Sequence, residues 1–134
     1  MNYKEDFVLV GHLQVTDEPL SSLYVENHSG KYYIFVRVYE DNDDDAYICS
    51  EVQLGCVLSY MNRDMGLNNI FRDYPSYHYV RMGSEYLQSK NFIPLTSDQA
   101  AAELSKDGLD DYFDNNIAYK SVSLKNHILE LLNK

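Results

Sequence analysis

Carboxylates are the densest chemical feature of this chain. From Glu40 the sequence reads EDNDDDAYICSE, twelve residues ending at Glu51. Glu40, Asn42 and Asp44 fall at positions 1, 3 and 5 of a calcium-loop pattern, but position 6, which must turn sharply and is usually Gly, is Asp45. The flanks alternate like strands, not helices, so the run is expected to be a solvated hairpin tip or a patch that receives a partner. Its candidate contact residues are Tyr39, Asp41, Asp43, Asp44, Asp45 and Tyr47. A second candidate is the strand YHYVRM, where Tyr77, Tyr79 and Arg81 share one face. Tyr and Arg carry much of the energy of protein interfaces. They also stack on bases, and a sheet face covered by a helix would use the same residues.

Other chemistry is not signalled. His12, His28, His78 and His127 are far apart and form no HxH, HExxH or Cys/His pair, so no metal site is expected. His127 falls among the apolar positions of the last helix and reads as a hydrogen-bonded core histidine. No GxSxG is present, and neither Cys49 nor Cys56 has a catalytic context. The six glycines are isolated and make no phosphate loop. Asp110 and Asp111 lie in a polar stretch and select no paired-carboxylate cleft. The chain is therefore expected to be non-enzymatic, without a cofactor.

Thirteen Tyr, five Phe and no Trp form an unusual aromatic set. Tyr joins an apolar ring to a wet hydroxyl and suits half-buried strands and interfaces. Net charge is -10, from 21 acids and 11 bases. Residues 1–52 hold eleven acids against Lys4, Lys31 and Arg37, whereas residues 53–92 are nearly neutral. This balance opposes sequence-independent binding to nucleic acid and to anionic membranes.

The elements that must carry these residues follow from periodicity. FVLVGHLQV (7–15) alternates like a strand, with Gly11 at a bulge or a close approach. Leu20–Glu26, Lys31–Glu40 and Ala46–Val52 continue a meander, and Asn27–Gly30 is its hairpin loop. Tyr32, Ile34, Val36 and Val38 form one face of the third strand; Tyr33, Phe35, Arg37 and Tyr39 form the other. The period then changes. Leu54, Val57, Leu58 and Met61 mark a helix, and Leu67, Ile70, Phe71 and Tyr74 mark another before Pro75. A strand is expected at 77–82. Thr96 and Gln99 fit a capping box for a helix ending near Gly108. The last helix spans about 122–133 and is expected to dock on the sheet rather than form a dimer seam.

Strands first and helices later is an α+β signature. The 134 residues fit a single domain, 1–134, with an antiparallel sheet of four to five strands packed by C-terminal helices. Two cysteines are too few for a disulfide framework, the N-terminus has no signal-peptide pattern, and no apolar run spans a membrane. A reducing cytoplasm, bacterial or that of a phage-infected cell, is the expected location.

Toxin-immunity proteins, antitoxins and phage inhibitors share this small, acidic, Tyr-rich composition. The expected function is an inhibitor or regulator of a basic protein, such as a nucleic-acid-handling, defence or toxin protein. Its field would steer association with a positive surface. A nucleotide-like small-ligand domain is the alternative, and self-association stays open.

Overall fold

The structure, a computed structural model, describes residues 7–38, 45–73, 75–81, 93–106 and 111–134, with side chains at these positions except 45, 78–81 and 106. Six antiparallel strands lie side by side in chain order: β1 (Phe7–Val15), β2 (Pro19–Glu26), β3 (Tyr32–Val38), β4 (Asp45–Val52), β5 (Ser76–Arg81) and β6 (Ile93–Leu95). Helices α1 (Leu54–Met61) and α2 (Leu67–Asp73) link β4 to β5. Helices α3 (Ser97–Lys106) and α4 (Ser121–Leu132) follow the sheet. The fold is α+β, with one strand more than the four to five expected. β6 has three residues, too few to show a period, and contains Pro94, which a sheet accepts at its edge because proline has no N–H to donate.

Alternation in β3 assigns the two faces of the sheet. Ile34, Val36 and Val38 enter the main core with Leu13, Leu23, Ile48 and Val52. The helices cover this face: Val57, Tyr60 and Met61 from α1, Ile70 and Phe71 from α2, Leu104 from α3, and Leu124 and Ile128 from α4. Burying a side chain of this size contributes roughly 1.5–3 kcal/mol before chain entropy is subtracted. A hydrogen-bonded polar cluster lies within this layer. Gln14 Oε1 accepts from Ser21 Oγ at 3.0 Å and from Tyr60 Oη at 2.8 Å, which satisfies both buried hydroxyls.

Local sequence signals account for the element ends. Gly30 has φ +72°, which closes the β2–β3 hairpin, and Gly30 N–H donates to the Glu26 carbonyl at 2.9 Å. Thr96 and Gln99 form the expected capping box, with reciprocal bonds of 2.9 and 3.1 Å. Gly108 lies outside the described residues. α2 is capped from a distance: Asn68 N–H donates to Asp111 Oδ1 and Leu67 N–H to the Asp111 carbonyl, both at 2.8 Å.

Two features differ from expectation. β1 is irregular beyond the bulge expected at Gly11: its register shifts between Leu9 and Gly11, between His12 and Gln14 and between Gln14 and Val15, so its side chains do not keep one alternation. His127 is exposed, not in the core; the apolar stripe of α4 is Leu124, Ile128 and the half-buried Leu131. At 100° per residue, His127 falls about 80° from the Leu124–Ile128 midline, which turns it out of the core towards β1.

Candidate functional site

The second face of the sheet is built from aromatic side chains. The register lays them out in rows across the strands. One row runs Leu9, Tyr24, Tyr33, Glu51. The next runs His12, Ser22, Phe35, Cys49, Tyr77. In a third, Arg37 pairs with Tyr47 and Tyr47 with Tyr79, and beyond it Asp45 pairs with Arg81. The two candidate sets, one from the acidic hairpin and one from YHYVRM, therefore meet along β4 and β5. Asp45, Tyr79 and Arg81 are placed here by backbone register. Tyr39, Asp41, Asp43 and Asp44 lie outside the described residues.

Phe7, Phe35 and Cys49 are fully buried at the centre of this face, and Tyr24, Tyr33, Tyr47 and Tyr77 pack around them half-buried. The rings meet edge to face. Phe35 is 4.9 Å from Tyr24, 5.4 Å from Phe7 and 6.0 Å from Tyr47, centroid to centroid, and Phe7 is 5.3 Å from Tyr33. Such T-shaped contacts add to area burial and hold rings in fixed orientation. Burial pushes the Cys49 thiol well above its ordinary range, so it stays protonated and packs as a small apolar group.

The electrostatics of this face are acidic. Tyr33 is pushed up to about 12, first by burial and then by the carboxylates of Glu26 and Glu51. A negative potential at the ring penalises the phenolate. Lys31 answers Glu51 at 3.1 Å, and Ser29 Oγ donates to Glu26 at 2.7 Å.

Beside Phe35 the face dips into a cleft of about 250 Å³. Tyr24 and Tyr47 flank it, His12 and Ser22 close one end, and Arg37 pairs with Glu18 at the other. His12 Nδ1 and Ser22 Oγ are 2.7 Å apart, and desolvation lowers the pKa of His12. A nucleophile beside a neutral imidazole has the geometry of a Ser–His pair, but that chemistry needs a third group to orient the base. No described carboxylate is hydrogen-bonded to His12. Ser22 is 6% exposed in mid-strand, and the carboxylate in the cleft, Glu18, is held by Arg37. The pair satisfies two polar side chains between neighbouring strands.

The remaining sequence candidates have structural places. Ala46–Ser50 is extended and paired on both sides, so positions 7 to 11 of the calcium-loop pattern lie in a strand, while Glu40, Asn42 and Asp44 lie outside the described residues. Among the described residues no group of three or more His, Cys, Asp or Glu could hold a metal ion. No described helix is long and apolar enough to cross a membrane. Asp111 serves α2 as its cap. Tyr24, Tyr33, Glu26 and Glu51 were not among the sequence candidates. The signal for Tyr33 was the second face of β3; for the others it was the cross-strand register, which no local pattern supplies.

Comparison with protein-family models, with curated proteins and with solved structures finds no match for this chain.

Proposed function

We propose that the protein is a non-enzymatic binding module that receives a basic protein on the tyrosine face of its sheet, and so inhibits or regulates that partner. The observation that carries the reading is the layer of half-buried Tyr24, Tyr33, Tyr47 and Tyr77, with Glu51 paired to Tyr33 across the strands and Glu26 also acting on the Tyr33 ring. Tyr rings with carboxylates close by suit Arg and Lys. The ring face attracts a cation, and the carboxylate accepts its N–H groups in charge-assisted bonds. The acidic run 40–45, which follows β3 in the sequence, adds negative charge, and the net charge of -10 speeds encounter with a positive surface. Partners of this kind are nucleic-acid-handling, defence or toxin proteins of bacterial or phage type. A reducing cytoplasm, which keeps Cys49 and Cys56 as thiols, is the compartment this reading assumes.

The cleft beside Phe35 supports the nucleotide-like alternative less well. A phosphate approaching Arg37 would have to displace Glu18, and the net charge repels polyanions.

Affinity capture of the tagged protein from a bacterial lysate tests the proposal, at low and at high salt, with mass spectrometry of what is retained. A stoichiometric basic protein is expected, lost at high salt. It is also expected to be weakened by Asp→Asn replacement at Asp41, Asp43, Asp44 and Asp45 and by Tyr47→Ala. A retained partner that is not basic, or that survives high salt unchanged, would overturn the electrostatic reading.

A further inference from the structure

A second cleft lies between β1 and α4, across β1 from the tyrosine face, and has the opposite electrostatic character. Its volume is about 200 Å³. An apolar cavity of about 150 Å³ accepts a benzene ring, so this cleft has room for a ring with a small substituent. One wall is apolar: Val10, the bare backbone of Gly11, and Leu124. Gly11 brings the wall together, because a Cβ there would come within 2.7 Å of Leu124 Cδ1. The other wall carries donors. Ser123 and His127 lie at i and i+4 on α4, and Lys120 is the residue that immediately precedes the helix.

Both walls are fixed to each other. Tyr119 N–H donates to the Leu13 carbonyl at 3.0 Å, and Gln14 bridges to Ala118. The Lys120 ammonium sits 5.3 Å from the Tyr119 ring centroid, and the Tyr119 ring is 6.1 Å from that of His12. His12 Nδ1 faces Ser22, which leaves Nε2 as the ring nitrogen for a ligand. Among the described residues no carboxylate lines the cleft. Among the described residues Glu130 approaches a lining residue; it lies 4.0 Å from His127 and is itself largely exposed.

From this arrangement we propose that the β1–α4 cleft binds a small aromatic carboxylate. The carboxylate would lie against Lys120, Ser123 and His127, and the ring against Gly11 and Leu124. A single negative charge fits better than a phosphate ester, because one lysine supplies the fixed positive charge and the rest of the molecule repels polyanions. This site does not depend on the tyrosine face and stands if the protein-binding reading fails.

Benzoate, benzamide and benzylammonium, titrated to millimolar concentration into the full chain and followed by amide and His ring resonances, test the site. Benzoate is expected to shift Gly11, Ser123 and His127, with benzamide about tenfold weaker, as for loss of a charge-assisted bond, and benzylammonium silent there. Lys120 has φ +47°, a left-handed conformation that Asn tolerates. Lys120→Asn is therefore expected to fold and to weaken benzoate about tenfold. Ser123→Ala, at an exposed helical position, provides a second variant, expected to be a few-fold weaker. No shift with benzoate, shifts elsewhere on the molecule, equal binding of benzamide, or benzoate binding unchanged in both variants would each overturn the proposal.

Discussion

Replacing Glu51 by Gln lowers the pH at which Tyr33 ionises, by an amount set by the sheet register. Tyr33 stands at about 12 against an ordinary 10, with burial the largest cause and the carboxylates of Glu26 and Glu51 next. Glu51 pairs directly with Tyr33 across β3 and β4, which places the two Cβ atoms about 5 Å apart. A unit charge about 6 Å away contributes roughly 0.7 kcal/mol in water and about twice that at half the dielectric constant. This corresponds to about 0.5–1 pH unit. Lys31, 3.1 Å from Glu51, offsets part of that field. Glu51→Gln should therefore act at the lower end, about half a unit. Glu26→Gln adds a similar decrement. The double variant falls by about one unit and stays above 10, because burial remains. Lys31→Gln moves the midpoint the other way.

Carbon-13 NMR of labelled tyrosine reads the titration, with Tyr33 assigned through Tyr33→Phe. A double variant whose Tyr33 midpoint equals that of the wild type would refute the claim that these carboxylates act on the ring. The same shift governs alkaline stability. The folded state holds the Tyr33 proton more tightly than the unfolded chain, so its contribution is complete below pH 10 and is lost as pH rises through about 12. Two pH units correspond to about 2.7 kcal/mol. Solvent screening at a half-buried ring reduces this to roughly 1 kcal/mol.

Three further perturbations test the packing beneath this face and around it. Gln14→Leu removes the acceptor shared by Ser21 and Tyr60 and should cost about 2–4 kcal/mol in urea denaturation, with much of it recovered when Tyr60→Phe and Ser21→Ala are added; a loss below about 0.5 kcal/mol, within the range of ordinary surface changes, would contradict the network. Gly66→Ala puts a Cβ into the Asp111 carboxylate and should cost about 1–3 kcal/mol through the cap of α2, with Asp111→Ala similar and the double variant less than additive. Cys56, half-buried, should react with a thiol reagent in the folded protein, whereas Cys49 should react only on unfolding; two equally fast thiols would contradict the burial of Cys49.

Much of this fold is legible because its signals are local. Alternation in β3 separated Ile34 and Val36 from Tyr33 and Phe35, and the Thr96–Gln99 pair marked a helix start. What stayed hidden depends on contacts distant in sequence. The irregularities of β1 break the alternation at Val10 and Leu13, so the pairing of His12 with Ser22 could not be counted off. β6 is shorter than any detectable period. His127 misled because i+3 from Leu124 is compatible with an apolar stripe, while the actual stripe turns towards Ile128 and Leu131. The candidate site was half legible. Tyr47 and Tyr77 were identifiable from strand alternation, but their meeting with Tyr24, Tyr33, Glu26 and Glu51 is a product of register across four strands. The β1–α4 cleft had no signature, since Gly11 and Lys120 are more than a hundred residues apart.

An amide and tyrosine-ring NMR titration with an arginine-rich peptide, and with a glutamate-rich control, tests the central claim most directly. The tyrosine-face reading predicts shifts concentrated at Ser22, Tyr24, Tyr33, Tyr47 and Tyr77, an affinity that falls as salt rises, and no response to the acidic peptide. Shifts concentrated on α3 and α4, or an equal response to both peptides, would contradict it.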